Sequence, residues 1–285
     1  MSGEQRTDYF DFIVQARQDG ASWIAPLGDF NHWGYWDDPG RSRGSLAEME
    51  ASMQKLTDEL LSFAPVRDGI SMLDVGSGLG GTLRTVDGRH NDLRLFGLDQ
   101  DDRLVEMARR NVPGSGTNRV EIQQGCATQL PFEDSSMDVI TAVECIFHFP
   151  SRAAFLAEAR RVLKPGGRLV LCDYLIQGVP PGLRRQQHLL ARTPALKWLG
   201  HLDFVTLEDY GSLREEAGFS HMESRDITAN TLPTYDTRVA FFRSTGLPMR
   251  VIAPRIAGMR LAELTSRMGI FRYAIIAMEK PLAEA

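Results

Sequence analysis

The sequence predicts an α/β fold built on a doubly wound, mostly parallel sheet with helices on both faces, and three observations predict it. From residue 71 onward short apolar runs alternate with helical stretches, the pattern of βαβ units. A glycine-rich turn, Gly76-Ser77-Gly78-Leu79-Gly80-Gly81, stands where the first run hands over to the first helix, and an acid, Asp99, closes the second run. The chain has 285 residues, 43% hydrophobic and 24% charged, which suits one large globular unit or one with an insertion.

In chain order, residues 1 to about 20 are weakly helical, and Phe30-Asn31-His32-Trp33-Gly34-Tyr35-Trp36 crowds large aromatics into an irregular segment. Ser45-Leu-Ala-Glu48 reads as a capping box, because a Ser hydroxyl and a Glu carboxylate three residues apart can satisfy each other's free N–H groups. A helix should follow with Leu46, Met49, Met53, Leu56 and Leu60 on one face, running until Pro65. Strands are expected at Ser71 to Val75, Arg94 to Leu98, Val120 to Gln124, Asp138 to Val143 and Arg168 to Cys172. Between the last two, Phe155, Leu156, Ala159, Val162 and Leu163 mark an amphipathic helix. After residue 174 the chain makes a Leu-, Arg- and His-rich excursion, then a helix from Leu207 to Ala217 stopped by Gly218. An Arg-bearing helix and a strand from Phe271 to Met278 complete it. Residues 1–64 are read as an N-terminal helical cap and 65–285 as the core, with a lid insertion at about 175–205 after the fifth strand.

Charge and cysteine content narrow the function classes. Lys and Arg number 32 against 37 acids, a formal charge of -5, which disfavours a protein whose affinity rests on nucleic-acid phosphates. Three cysteines, Cys126, Cys145 and Cys172, fit a reducing compartment better than a disulfide framework, and no zinc spacing is present. No run approaches the 18 or more apolar residues of a membrane span. A soluble, cytoplasmic protein acting on a small molecule is expected, with neither nucleic acid nor membrane as partner; a homodimer is compatible with the chain.

The glycine turn and its acids point to a nucleoside cofactor. Gly76, Gly78 and Gly81 fit G-x-G-x-x-G, and Asp99 at the second strand's tip can accept both ribose hydroxyls. That geometry serves NAD as well as S-adenosylmethionine. Asp74, two residues before the turn, would repel a pyrophosphate at the helix start, whereas it suits a ligand bearing an ammonium and a sulfonium.

Leu73 to Gly81, Gly97-Leu-Asp99, Gly125-Cys-Ala-Thr-Gln-Leu-Pro-Phe132, Phe132 to Asp138 and Leu163-Lys-Pro-Gly-Gly-Arg168 resemble, in order and spacing, the motifs of class I S-adenosylmethionine-dependent methyltransferases, on a Rossmann-like sheet. The flanks, Asn31 to Trp36 and Asp226 to Tyr235, are similar to the bacterial small-molecule branch that includes sugar O-methyltransferases and tocopherol and sarcosine/dimethylglycine methyltransferases. The resemblance implies that S-adenosylmethionine is held by Asp74, Gly76, Ser77, Gly78, Gly80, Asp99, Gln100, Cys126, Ala127, Glu144 and Tyr35. It departs from the pattern at Cys126, where the family usually has an acid that accepts the adenine amino group. The adenine contact then rests on the backbone of Cys126 and Ala127, with Leu130 and Phe132 nearby.

Ligands of open α/β sheets collect at the carboxyl ends of the strands, here Glu144-Cys-Ile-Phe-His148 and Asp173-Tyr174. His148 is the expected general base for a hydroxyl acceptor, since imidazole titrates near neutrality, with Glu144 beside it. Trp33, Trp36, Phe149, Asp173 and Tyr174 are the expected substrate residues, and the segment of Trp33, Tyr35 and Trp36 is read as a mobile cover. His201, Asp203, Asp226 and Thr228 are weaker candidates. Arg250, Arg255 and Arg260, spaced by five, read as a solvated face. The resemblance implies transfer of the methyl of S-adenosylmethionine to an oxygen, nitrogen or carbon of a small natural-product-like molecule; the alternatives are a cofactor-bound, non-methylating cyclase or binding protein on the same fold and, disfavoured by Asp74, an NAD-dependent oxidoreductase.

Overall fold

The computed structural model describes residues 8–179 and 205–283. Seven strands form one sheet in the order β3-β2-β1-β4-β5-β7-β6. They are β1 (Ser71–Val75), β2 (Arg94–Asp99), β3 (Arg119–Gln124), β4 (Met137–Val143), β5 (Leu163–Ile176), β6 (His221–Asp226) and β7 (Phe271–Glu279). The first five are parallel, and β7 runs antiparallel between β5 and β6. The strand order reverses between β1 and β4, so the crevice outside their carboxyl ends is the place where such sheets bind ligands.

The helices are α1 (Asp8–Gln18), α2 (Met49–Leu61), α3 (Gly81–Asp87), α4 (Asp102–Asn111), α5 (Arg152–Val162), α6 (Leu207–Ala217), α7 (Thr228–Thr231), α8 (Pro233–Ser244) and α9 (Met249–Arg267). Their apolar stripes divide the core. One face of the sheet packs on α5 and α6 through Leu169, Leu171, Phe155, Leu156 and Tyr210. The other, around β5 and β7, takes Leu56 and Leu60 of α2 and Tyr35. A separate cluster joins Ile13, Leu27, Phe30, Met49 and Met53 to Tyr235, Val239 and Phe242 of α8 and Ile252 and Met259 of α9, so the N-terminal segment shares its core with the helices that precede β7.

The expected strands and the helices α2, α5 and α6 are present, with three differences. β5 runs from Leu163 to Ile176, because Leu163 already pairs with Met137 before a register shift. The expected capping box at Ser45 is not formed: Leu46–Glu48 is a 3₁₀ turn without a side-chain cap. Glu48 is spent elsewhere, accepting from Trp36 Nε1 (3.2 Å), the Ser42 hydroxyl (2.5 Å), the Arg43 N–H (3.0 Å) and the Ser45 hydroxyl (3.1 Å). Strand β6 and helix α8 are additional elements. The lid expected at 175–205 falls largely outside the described residues.

Alternation along β5 separates two neighbouring side chains. Tyr174 faces the α2 side, while Asp173 is turned under α5 and α6 and is fully buried. Its Oδ2 accepts from Arg152 Nε (3.1 Å) and Nη2 (3.0 Å) and from the Tyr210 hydroxyl (2.6 Å), and its Oδ1 from the Tyr174 N–H (2.8 Å). Removing one member of a buried ion pair leaves an uncompensated charge. Asp173→Ala should therefore destabilise the protein by about 3–5 kcal/mol in chemical denaturation. An unchanged midpoint would show that Arg152 has another partner there.

Candidate functional site

The glycine turn after β1 is built by three left-handed residues that do different work. Gly76 has φ +69°, and a Cβ on it would lie 2.6 Å from Cβ and 2.7 Å from Sγ of Cys145. The missing side chain lets the segment after β4 press directly onto the turn. Gly80 (φ +85°) makes the same allowance for Val112, 2.7 Å from a built Cβ, so its role is to dock the end of α4. Gly78 (φ +53°) has nothing within 4 Å of the corresponding position. Its space is open. The Leu98 carbonyl accepts from the N–H groups of Gly76 (2.7 Å) and Ser77 (3.0 Å) and fastens the turn to β2.

The two acids flank this opening. Asp99 Oδ2 accepts from the Gly78 N–H (2.9 Å) and Oδ1 from the Asp101 N–H (3.0 Å). Burial raises its pKa against these bonds. Asp74 Oδ1 accepts from the Thr141 hydroxyl at 2.7 Å. Burial, with the nearby Asp99 charge adding, lifts its pKa to about 7. Ser77 Oγ is buried with no hydrogen-bond partner among the described residues. At the tip of β3, Cys126 is exposed, its Sγ 3.1 Å from Thr128 Oγ1, while Ala127 and Leu130 are buried against Leu98. Gln100 is exposed and its carbonyl accepts from Gln124 Nε2 (3.0 Å). An unpartnered hydroxyl, an open Gly78 and two acids that would gain from a cation fit S-adenosylmethionine.

Glu144, the first residue after β4, has φ +51°, an uncommon conformation for a non-glycine residue. Its Oε1 accepts from the Trp33 N–H (2.6 Å) and the Tyr273 hydroxyl (2.5 Å), and its Oε2 from the Tyr174 hydroxyl (3.1 Å). Burial pushes its pKa up to about 7, opposed by those bonds and by the charge of Arg238. Arg238, itself buried on α8, donates to the His32 carbonyl at 2.8 Å. Above the carboxylate, Trp33 meets Tyr174 (5.4 Å between ring centres) and Tyr235 (4.6 Å) edge to face and stacks on Tyr273 (5.9 Å). Tyr174 also stacks on Phe271 (5.1 Å) and tilts against Phe147 (5.3 Å).

Of the expected site residues, Glu144, Trp33 and Tyr174 are thus brought together. His148 lies one 3₁₀ turn beyond Glu144, its ring against Phe147 (4.3 Å) and Phe10 of α1 (5.7 Å). Phe149 sits between Gly76 and Phe155, at the foot of the turn rather than among the aromatics. Three residues go elsewhere. Asp173 is committed to Arg152 and Tyr210. Tyr35 is packed beside β5 and β7, its hydroxyl accepting from Arg225 of the edge strand β6 (3.3 Å), four strands from β1. Trp36 is pinned: its N–H donates to the Asn230 carbonyl (3.0 Å), its carbonyl accepts from Asn230 Nδ2 (2.9 Å), and its indole N–H is held by Glu48. The segment is docked in this structure, not loose.

Asp226 accepts from the Thr228 N–H (2.8 Å) and pairs with Arg272 (3.1 Å), and the Thr228 hydroxyl accepts from the Tyr273 N–H (2.9 Å). Arg260 pairs with Asp236 and Glu263, Arg255 lies over the Phe12 ring, and Arg250 is exposed. His201 and Asp203 lie outside the described residues. Sequence reasoning missed Tyr235, Phe271, Tyr273 and Arg238. For Tyr273 and Phe271 the accessible signal is their pairing with Tyr174 and Ile176 once β5 and β7 are set side by side; Tyr235 closes the flank Asp226 to Tyr235 noted above. Among the described residues no group of three or more His, Cys, Asp or Glu could hold a metal, and no helix is long and apolar enough to cross a membrane.

Residues 73–171 match the family model described as a methyltransferase domain. The chain is 32% identical over 209 residues to 27-O-demethylrifamycin SV methyltransferase of Amycolatopsis mediterranei, covering 73% of each chain. It is 30% identical over 205 residues to the methyltransferase GfsG of Streptomyces halstedii, covering 71% of this chain and 70% of that one. In fold it is similar to the [4+2]-cyclase SpnF (TM-score 0.76, 21% identity, 96% of each chain). A second such structure is a sarcosine dimethylglycine methyltransferase of Galdieria sulphuraria (TM-score 0.74, 19% identity, 96% of this chain and 98% of that one).

The glycines separate by mutation. Gly78→Ala places a methyl group in open space at a strain cost of about 1 kcal/mol, so it should weaken binding of S-adenosylhomocysteine in calorimetry while the melting temperature falls little. Gly76→Ala must displace Cys145 and should lower the melting temperature strongly. Equal effects of the two on stability would refute this division. The raised pKa of Asp74 sets a pH signature. The stability this group contributes is complete below its unfolded pKa near 4 and is lost as pH rises through about 7. The melting temperature of the wild type relative to Asp74→Asn should therefore be highest near pH 4–5 and decline towards pH 8. A flat difference would mean that Asp74 titrates as an ordinary carboxyl.

Proposed function

The chain belongs to the class I S-adenosylmethionine-dependent methyltransferases, and we propose that its acceptor is a hydroxyl oxygen of a small natural-product-like molecule, with His148 and Glu144 handling the hydroxyl proton. The observation that carries this reading is the contact of Cys145 with Gly76. The chain neighbours of Cys145, the half-buried carboxylate before it and the histidine three residues after it, share a segment pressed against the glycine turn, which supports this reading. When bound, S-adenosylmethionine supplies an electrophilic methyl on a sulfonium, and attack on it is an in-line displacement for which alignment is the main requirement. Trp33, Tyr174, Tyr235, Phe271 and Tyr273 offer an apolar, aromatic wall to hold the acceptor and keep water from it. Asp99 and the open Gly78 are the residues assigned to the ribose, Ser77 and Asp74 to the amino-acid end, and Ala127 and Leu130 to the adenine.

Oxygen is favoured over nitrogen or carbon because the relative of highest quoted identity is named for a 27-O position. It is also favoured by the chemistry of the segment. A hydroxyl must lose a proton as the new bond forms, and a carboxyl poised near neutrality with one Oε2 lone pair unspent is a competent acceptor. The N-terminal residues 1–64 serve in this reading as a cap that supplies Trp33 to the wall.

The test is S-adenosylhomocysteine formation, followed by mass spectrometry, with 27-O-demethylrifamycin SV and other hydroxylated macrocycles offered as acceptors. His148→Ala should lower turnover by roughly 10²- to 10⁴-fold with cofactor affinity nearly intact. A variant keeping more than about a tenth of wild-type turnover would remove His148 from proton transfer and leave alignment as the whole of catalysis.

A further inference from the structure

The tips of β1, β2 and β4, which bound the cofactor crevice, are bridged by one helix outside the sheet. Within α1, Val14 packs on Leu79, the residue of the glycine turn between Gly78 and Gly80, and on Leu104 of α4. One turn earlier Phe10 meets the ring of His148, after β4, and Asp11 accepts from Arg103 Nη2 at 2.7 Å, after β2. Arg103 connects this helix to the ribose acid. Its Nε and Nη2 grip the two carboxylate oxygens of Asp101 (2.9 and 2.6 Å), and the Asp101 N–H is bonded to Asp99 Oδ1 (3.0 Å). The opposite side of α1, Ile13 and Ala16, is anchored in the cluster shared with α8 and α9.

We propose that α1 is a strap across the cofactor crevice and that Arg103 is a positioning residue joining it to Asp99, so that undocking of the strap limits the exchange of S-adenosylmethionine for S-adenosylhomocysteine. The proposal rests on the methyltransferase reading only for the identity of the ligand. Two kinds of contact hold the strap. The Asp11–Arg103 pair is half-exposed and hence screened by salt, whereas the Val14–Leu79–Leu104 contact is apolar and insensitive to it. Asp101 faces Arg103 with a fixed fork of two bonds, a geometry that lysine does not reproduce. Cofactor retention should thus depend on the guanidinium itself and on ionic strength.

The experiment measures release of tritium-labelled S-adenosylhomocysteine chased by unlabelled ligand, on the full chain, together with a single-turnover methyl transfer at saturating cofactor. Asp11→Ala should speed release about two- to fivefold, and Val14→Ser by roughly tenfold or more. Arg103→Lys should speed release too, and all three should raise KM for S-adenosylmethionine while the single-turnover rate holds. Wild-type release should accelerate by no more than about that two- to fivefold as salt rises from about 50 mM to about 500 mM, and Asp11→Ala should lose that dependence. Release rates of Asp11→Ala and Val14→Ser equal to wild type would overturn the strap. So would an effect of Arg103→Lys with none of Asp11→Ala, since Arg103 would then act through Asp101 alone. Should Val14→Ser fail to fold, the surface substitution Asp11→Ala and the salt series decide the matter. A chain that bound no S-adenosylhomocysteine at all would refute the underlying reading instead.

Discussion

The arrangement of the aromatic cluster depends on one half-buried carboxylate. Glu144 collects donors from residues 33, 174 and 273, parts of the chain brought together by no local rule, and so ties the N-terminal segment, β5 and β7 to the tip of β4. Removing a carboxylate from water costs several kcal/mol. Three bonds to a charged acceptor, at roughly 1.5–3 kcal/mol each, return part of it. Burial outweighs them, and the group is left titrating at about 7, above the ordinary carboxyl range. The left-handed φ at this residue adds a further cost of about 1–3 kcal/mol, sustained only because the surrounding contacts over-determine the position.

On the neighbouring strand β5, just past the Val143↔Cys172 pair, sits a carboxylate of the other kind. Asp173 is fully buried where Glu144 is half-buried, and it faces a guanidinium squarely, with Tyr210 and a backbone N–H taking more of its capacity. Nothing of Oδ2 is left for a ligand. The difference follows from strand alternation: Tyr174 is delivered to the aromatic wall because Asp173 is delivered to the helix layer beneath. An acid at a strand's carboxyl end is therefore not evidence of a site until its face is known.

Which parts were legible in the sequence follows from how local their signals are. β1 to β5, the glycine turn and Asp99 were readable because apolar runs, glycines and an acid at fixed offset fall within short windows. β6 was not: His-Met-Glu-Ser-Arg-Asp is polar along its length, as an exposed edge strand can afford to be. Ser45 and Glu48 had the spacing of a capping box, yet Trp36 and Ser42 outcompeted the helix for the carboxylate. The aromatic segment reads as a unit in the sequence, but its members part company. Trp33 goes to Glu144, Tyr35 packs beside β5 and β7 with its hydroxyl on Arg225, and Trp36 is held by Asn230 and Glu48, a division set by the docking of the N-terminal segment against α8 and β7. Tyr235 and Tyr273 lie some 200 residues and more from Trp33 in sequence, and no pattern in one chain pairs them.

The glycine turn and the Glu144 cluster are mechanically one piece. Cys145 fills the space that Gly76 leaves, and its thiol donates to the Val75 carbonyl at 3.0 Å, so the residue after Glu144 is clamped to the residue before the turn. Burial holds that thiol far above the ordinary range, which keeps it a neutral donor and not a competing nucleophile. An in-line displacement loses rate steeply when donor and acceptor drift by an ångström. Motion of the turn in this molecule must carry Glu144 with it, and motion of Glu144 must pull on Trp33, Tyr174 and Tyr273. The rigidity that alignment requires is thus concentrated where the backbone is least ordinary, at Gly76 and Glu144, and it leaves α1, outside the sheet, as the element free to yield when the ligand is exchanged.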